Sequence, residues 1–141
     1  MKLQGLFLGV LAVVCSSSCA QAATLRVLVL DGQSGKPVPG RTVEIYSDKS
    51  ASEPVVKGLT DQKGIFSTTS QLPKQIAVHV KGRYLCTGKN HGTSVQRLDD
   101  ILSAGVVDSN SCGRKALPPP EPGELILFVR HESLAEFLDM N

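Results

Sequence analysis

His79, Tyr84, Cys86, His91 and Cys112 are the residues whose types and spacing could build a chemical site. A thiol pair closes a disulfide or holds a soft metal, while imidazole and phenol ligate metals or pass protons. The spacing narrows this. The chain contains no Cys-x-x-Cys, and His131 stands far from the other two histidines, so neither a redox dithiol nor a zinc signature is spelled out. No Ser-His-Asp or Cys-His arrangement for nucleophilic catalysis emerges. His79, Tyr84 and His91 remain the ligand candidates of an alternative reading, a small-ligand or metal-dependent enzyme. The leading reading assigns no catalytic residue, no metal and no cofactor.

What the cysteines do depends on compartment. Lys2 supplies a positive n-region, Leu6 to Val14 an apolar h-region, and Ala20-Gln21-Ala22 an A-x-A cleavage site, so residues 1–22 read as a signal peptide. That apolar run is shorter than the roughly 20 residues a membrane helix needs, and no other segment is longer. The expectation is an exported chain, periplasmic or secreted. A lipid anchor on Cys15 or Cys19 is the alternative to cleavage. Neither cysteine fits, because bulky Val13 and Val14 precede Cys15, and Cys19 follows Ser16, Ser17 and Ser18 without an adjoining leucine.

Cleavage leaves Cys86 and Cys112, an even number in an oxidising compartment, and a disulfide is the expected pairing. Closing a loop of roughly 27 residues would stabilise the fold by about 3.5 kcal/mol in the chain-entropy account.

Residues 23–141 suffice for one domain with a real core. The whole chain carries a net charge of +2 with signs interspersed, which lacks the basic stripe that nucleic acid requires. With no Trp and two Tyr, it also lacks the aromatic platform on which sugars stack.

The elements that would position these side chains are mostly strands. Leu25 to Leu30 is apolar except for Arg26, and the segment from Asp31 to Lys36 is turn chemistry. Val43 and Ile45 alternate with Glu44 and Tyr46, the period of a half-buried strand. Val55 to Leu59 and Ile65 to Thr68 flank the turn Thr60-Asp61-Gln62-Lys63-Gly64, which predicts a hairpin. Ile76, Val78 and Val80 predict a fifth strand with His79 facing outward, and the chain re-pairs after Gly82. Glu124 to Arg130 is continuously apolar between its ends, which predicts a strand covered on both faces.

Two helices are expected. Thr93 and Gln96 have the spacing of a capping box, with Val95, Leu98, Ile101 and Leu102 as an apolar face and Gly105 as the stop. This insert, residues 86–112, would be stapled by the disulfide. Leu134, Phe137 and Leu138 lie at i, i+3 and i+4 and predict a short tail helix over 132–140, which docks on its own domain or meets a partner.

Val29, Asp31, Gly35, Pro37, Val38, Gly40, Val43, Ile45, Thr60, Asp61, Gly64, Phe66, Ile76 and Val78, in this order, resemble the carboxypeptidase regulatory-like domain. That domain belongs to the transthyretin-like and carbohydrate-binding-like sandwiches, and the resemblance covers residues 25–80. The remainder, with Asn110-Ser111-Cys112-Gly113 and Pro122 to Arg130, resembles small secreted proteins of environmental bacteria such as acidobacteria. The resemblance implies a mainly β, immunoglobulin/transthyretin-like antiparallel β-sandwich with a short inserted helix and a short C-terminal helix. It transfers no catalytic residue. Hydroxyisourate hydrolases of this group end in Tyr-Arg-Gly-Ser, where this chain has Phe128-Val129-Arg130-His131. Intradiol dioxygenases hold iron with two Tyr and two His, and Tyr46, Tyr84, His79, His91 and His131 lack the close pairing such sites use. Pilin-like sandwiches form a Lys–Asn isopeptide, for which the first strand offers only Arg26.

The functional expectation is an exported, non-catalytic binding or envelope-accessory module. Its partner would be an envelope or extracellular protein, met through a sheet edge or through Leu134, Phe137 and Leu138. A purely structural secreted domain is the third reading.

Overall fold

Alternation of apolar and polar residues sorts much of this chain into strands, and the computed structural model, which describes residues 23–87, 92–113 and 118–131, places nine of them in two sheets. They are β1 (Leu25–Asp31), β2 (Thr42–Tyr46), β3 (Val56–Leu59), β4 (Ile65–Thr68), β5 (Gln75–Val80), β6 (Arg83–Leu85), β7 (Ser94–Arg97), β8 (Val106–Val107) and β9 (Glu124–His131). One helix, α1 (Leu98–Ala104), lies between β7 and β8. The signal segment 1–22, His91 and the tail 132–141 with Leu134, Phe137 and Leu138 lie outside the described residues.

The first sheet runs β4-β1-β9-β6, with β8 also on β9, and the second runs β3-β2-β5-β7. Leu25, Val27 and Val29 of β1 and Leu125, Leu127 and Val129 of β9 face Val43, Ile45, Ile76, Val78 and Val80 of the second sheet. Each such side chain contributes roughly 1.5–3 kcal/mol on burial, more than a typical net hydrogen bond at about 1 kcal/mol. This layer therefore decides the fold.

The class is a mainly β sandwich, as the sequence implies, with two departures in pairing. β1 and β8 both run parallel to β9, whereas the remaining pairs are antiparallel. β3 and β4 do not form a hairpin: β3 pairs with β2 in one sheet and β4 with β1 in the other. The turn chemistry at Asp61 is nevertheless as expected. Its Oδ1 accepts from the amides of Lys63 and Ile65 at 2.8 and 3.0 Å, and Gly64 adopts φ 76°. The turn thus carries the chain across the sandwich. Thr60 seats it, donating its hydroxyl to the Val38 carbonyl at 2.8 Å and accepting from the Arg41 amide at 2.9 Å.

The helix begins later than the capping pattern implies. Ser94 to Arg97 adds to the edge of β5 as β7, so Thr93 caps nothing helical, and Arg97 at the N-cap makes no side-chain cap bond. The Leu98 amide is satisfied instead by the Lys74 carbonyl at 2.8 Å. Gly105, at φ 76°, ends the helix as expected, its amide returning to Ile101.

Candidate functional site

Cys86 follows β6 and Cys112 follows β8, so the first sheet brings them to the same outer surface. They form a disulfide with Cα atoms 5.5 Å apart across a sequence separation of 26. Cys86 packs with Leu30, Ile126 and Phe128, and Leu28, Val107 and Cys112 close over them. Because Leu125 to Val129 alternates between this cluster and the main core, β9 is covered on both faces, as its unbroken apolar run implies. Three contacts tie the insert down. The Ser111 amide and hydroxyl both reach the Cys86 carbonyl, at 2.7 and 2.8 Å, and the Asn110 side-chain amide donates to the Gly32 carbonyl at 2.9 Å. The cysteine pair therefore serves structure.

The other candidates separate. His79 lies between inward-facing Val78 and Val80 on β5 and projects from the outer face of the second sheet. Tyr84 neighbours inward-facing Leu85 on β6 and projects from the outer face of the first, where the Arg130 guanidinium lies 5.0 Å from its ring centroid. Two side chains on opposite outer faces share no site. Among the described residues no group of three or more His, Cys, Asp or Glu is arranged to hold a metal ion.

What His79 does meet is Glu44. Its Nδ1 lies 3.4 Å from Glu44 Oε2, and the Tyr46 hydroxyl donates to the same oxygen at 3.0 Å. Partial burial, followed by the Glu44 carboxylate, holds the Tyr46 phenol above its ordinary pKa, so the phenol stays protonated and serves as a donor. The row continues onto β3, where Lys57 stands opposite Glu44. Lys57 is flanked by Val55 and Leu59, the exposed large apolar residues of the described chain, at 50% and 64% exposure. Among the described residues β3 pairs with β2 alone and forms an edge.

This surface, Val55, Lys57 and Leu59 on the rim with Glu44, Tyr46 and His79 behind them, is the candidate site. The alternation in Val55 to Leu59 was available as a signal, but the sequence does not reveal that β3 lies at an edge. An apolar groove of about 170 Å³ between Leu25, Leu72, Leu98 and Leu102 is a second concavity. It opens at the start of β1, the opposite end from His131, where β9 leaves the sheet.

Compared with known proteins, the sequence matches no family model and none of the curated proteins. No helix among the described residues is long and apolar enough to cross a membrane.

Proposed function

We propose that this chain is an exported, non-catalytic binding module that takes an extended segment of an envelope or extracellular protein along the edge of β3. The observation that carries this reading is the coincidence of an edge strand with exposed Val55 and Leu59. An open edge offers backbone donors and acceptors to an added strand, and alternate side chains give selectivity. Lys57 between the two apolar residues opposes indiscriminate edge pairing. The Cys86–Cys112 bond supports work in an oxidising compartment.

The test is affinity capture by the mature protein from native envelope fractions, with Val55→Asp, Leu59→Asp and Phe137→Asp variants alongside. A specific partner lost in the first two and kept in Phe137→Asp supports the β3 edge. A partner kept by Val55→Asp and Leu59→Asp, and lost only in Phe137→Asp, moves the binding surface to the tail.

A further inference from the structure

Along the edge of β3 a cation stands between two apolar side chains. Val55, Lys57 and Leu59 are exposed and alternate with Val56 and Gly58, which stand opposite inward-facing Ile45 and Val43. Lys57 joins none of the ion pairs among the described residues. Glu44 is its register partner on β2, but Oε2 of that carboxylate accepts from the Tyr46 hydroxyl at 3.0 Å and lies 3.4 Å from His79 Nδ1 on the next strand, β5. The Lys57 charge is therefore left for whatever meets the edge.

The backbone is open in the same register. Thr60 donates its amide to the Arg41 carbonyl at 2.9 Å, one step beyond the partnership of Leu59 with Thr42, so the bonded pairs of β2 and β3 fall on alternate residues, Gly58 with Val43 and Val56 with Ile45. The amides and carbonyls of Lys57 and Leu59 consequently point away from β2. A strand bonded there sets every second side chain beside Val55, Lys57 and Leu59, because the pleat carries alternate residues to one face. On the inner side Phe66 of β4 already covers Gly58, where a β-carbon would run into the ring. The outer row therefore reads the partner.

We propose, resting on the strand-addition reading above, that the partner segment carries an acidic residue with an apolar residue two positions away on each side, the carboxylate meeting Lys57 and the apolar side chains meeting Val55 and Leu59. Charge decides between this occupant and a second copy of the chain. An antiparallel pairing of two β3 edges that sets Val55 beside Leu59 of the other copy places the two Lys57 side chains directly opposite, and like charges there are destabilising. A carboxylate in that position reverses the sign, so the same lysine rejects self-pairing and selects an acidic strand.

The experiment follows the Lys57 and Leu59 amide resonances of the mature full chain in low-salt buffer, where surface charges are least screened. The capped peptide Thr-Val-Thr-Glu-Thr-Val-Thr and its versions with Gln or Lys in place of Glu are titrated separately. The Glu peptide should bind about threefold more tightly than the Gln peptide and about tenfold more tightly than the Lys peptide, the scale of one cross-strand charge pair gained or opposed. In Lys57→Gln protein the Glu and Gln peptides should bind alike. Equal affinity of the parent for all three peptides, with the same two amides displaced, leaves strand addition standing and overturns the acidic specificity, as does a Glu preference that survives Lys57→Gln. No displacement of either amide by any peptide defeats strand addition itself, and the specificity with it. Sedimentation of the parent alone tests the other occupant: a dimer dispersed by Leu59→Asp gives the edge to a second copy and also overturns the proposal.

Discussion

Cys86 Sγ lies 2.6 Å from the place where a β-carbon on Gly32 would sit. The Cys112 β-carbon and Asn110 Oδ1 crowd the same point at 2.8 and 2.9 Å, and Gly32 itself is buried. The turn after β1 therefore needs glycine here for lack of space, whereas Gly35 in the same turn needs its φ of 69°.

Gly32→Ala should cost about 1–3 kcal/mol, the range for forcing extra atoms into a packed site. Urea denaturation of the oxidised protein measures it. In a Cys86→Ala, Cys112→Ala background, which removes the nearest of the three crowding atoms and releases the tether on the other two, the penalty should shrink. An equal penalty in both backgrounds would mean that the disulfide is not what excludes a side chain from residue 32.

The disulfide holds more than two cysteines. Its removal frees residues 106–113 from the face formed by Leu30, Ile126 and Phe128, while the main core between the sheets stays packed. Reduction should lower stability by about 3.5 kcal/mol on the loop-closure account. Hydrogen exchange should show early deprotection of the Asp108 and Ser111 amides, which donate to Ile126 and Cys86, before those of β2 and β5. Simultaneous deprotection of all four segments would refute a locally stapled insert.

Thr60 makes the crossing between sheets specific. Its hydroxyl is buried and binds both the Val38 carbonyl and the Arg41 amide of the loop before β2, 22 and 19 residues earlier in the chain. Valine preserves the shape but leaves both backbone groups unpaired, which costs about 1–3 kcal/mol for a buried site. Thr60→Val should lower the urea midpoint accordingly, and Thr60→Ser should recover most of the loss. If Thr60→Ser were as damaging as Thr60→Val, methyl packing rather than the hydroxyl would be responsible.

Much of this arrangement is legible from residue order. β1, β2, β5 and β9 follow from apolar alternation or unbroken apolar runs, because which face is buried is a local property of a strand. Which strand lies alongside is not local. The Thr60 to Gly64 turn has hairpin chemistry, yet Phe66 of β4 packs against Gly58 of β3 from the other sheet, and no local pattern reveals that choice. Thr93 and Gln96 likewise fit a capping box, but pairing of Ser94 to Arg97 with β5 recruits that stretch as an edge strand. The candidate site was half visible for the same reason. His79 was marked by its type, while Glu44 and Lys57 join it only through the registers of β2 with β5 and β3.

Asp31 closes the turn that abuts Gly32, and its carboxyl is held below its ordinary pKa. The Ser34 amide leads in holding its pKa below 3.8, helped by the Ser34 hydroxyl, the Gln33 amide and the charge of Arg83, against a partial burial penalty. The folded state thus binds fewer protons than the unfolded state across the acid range. The associated stability is fully present above the unfolded value near 3.8, and it is lost as pH falls from there through the lower folded value. Asn at this position keeps an acceptor oxygen for the turn but cannot ionise. In urea midpoints measured from pH 6 to pH 2, Asp31→Asn should therefore decline less steeply than the parent below about pH 4. At neutral pH it should be the less stable of the two, because it also removes the negative charge facing Arg83. Parallel acid limbs in the two proteins would assign the acid sensitivity to other carboxylates.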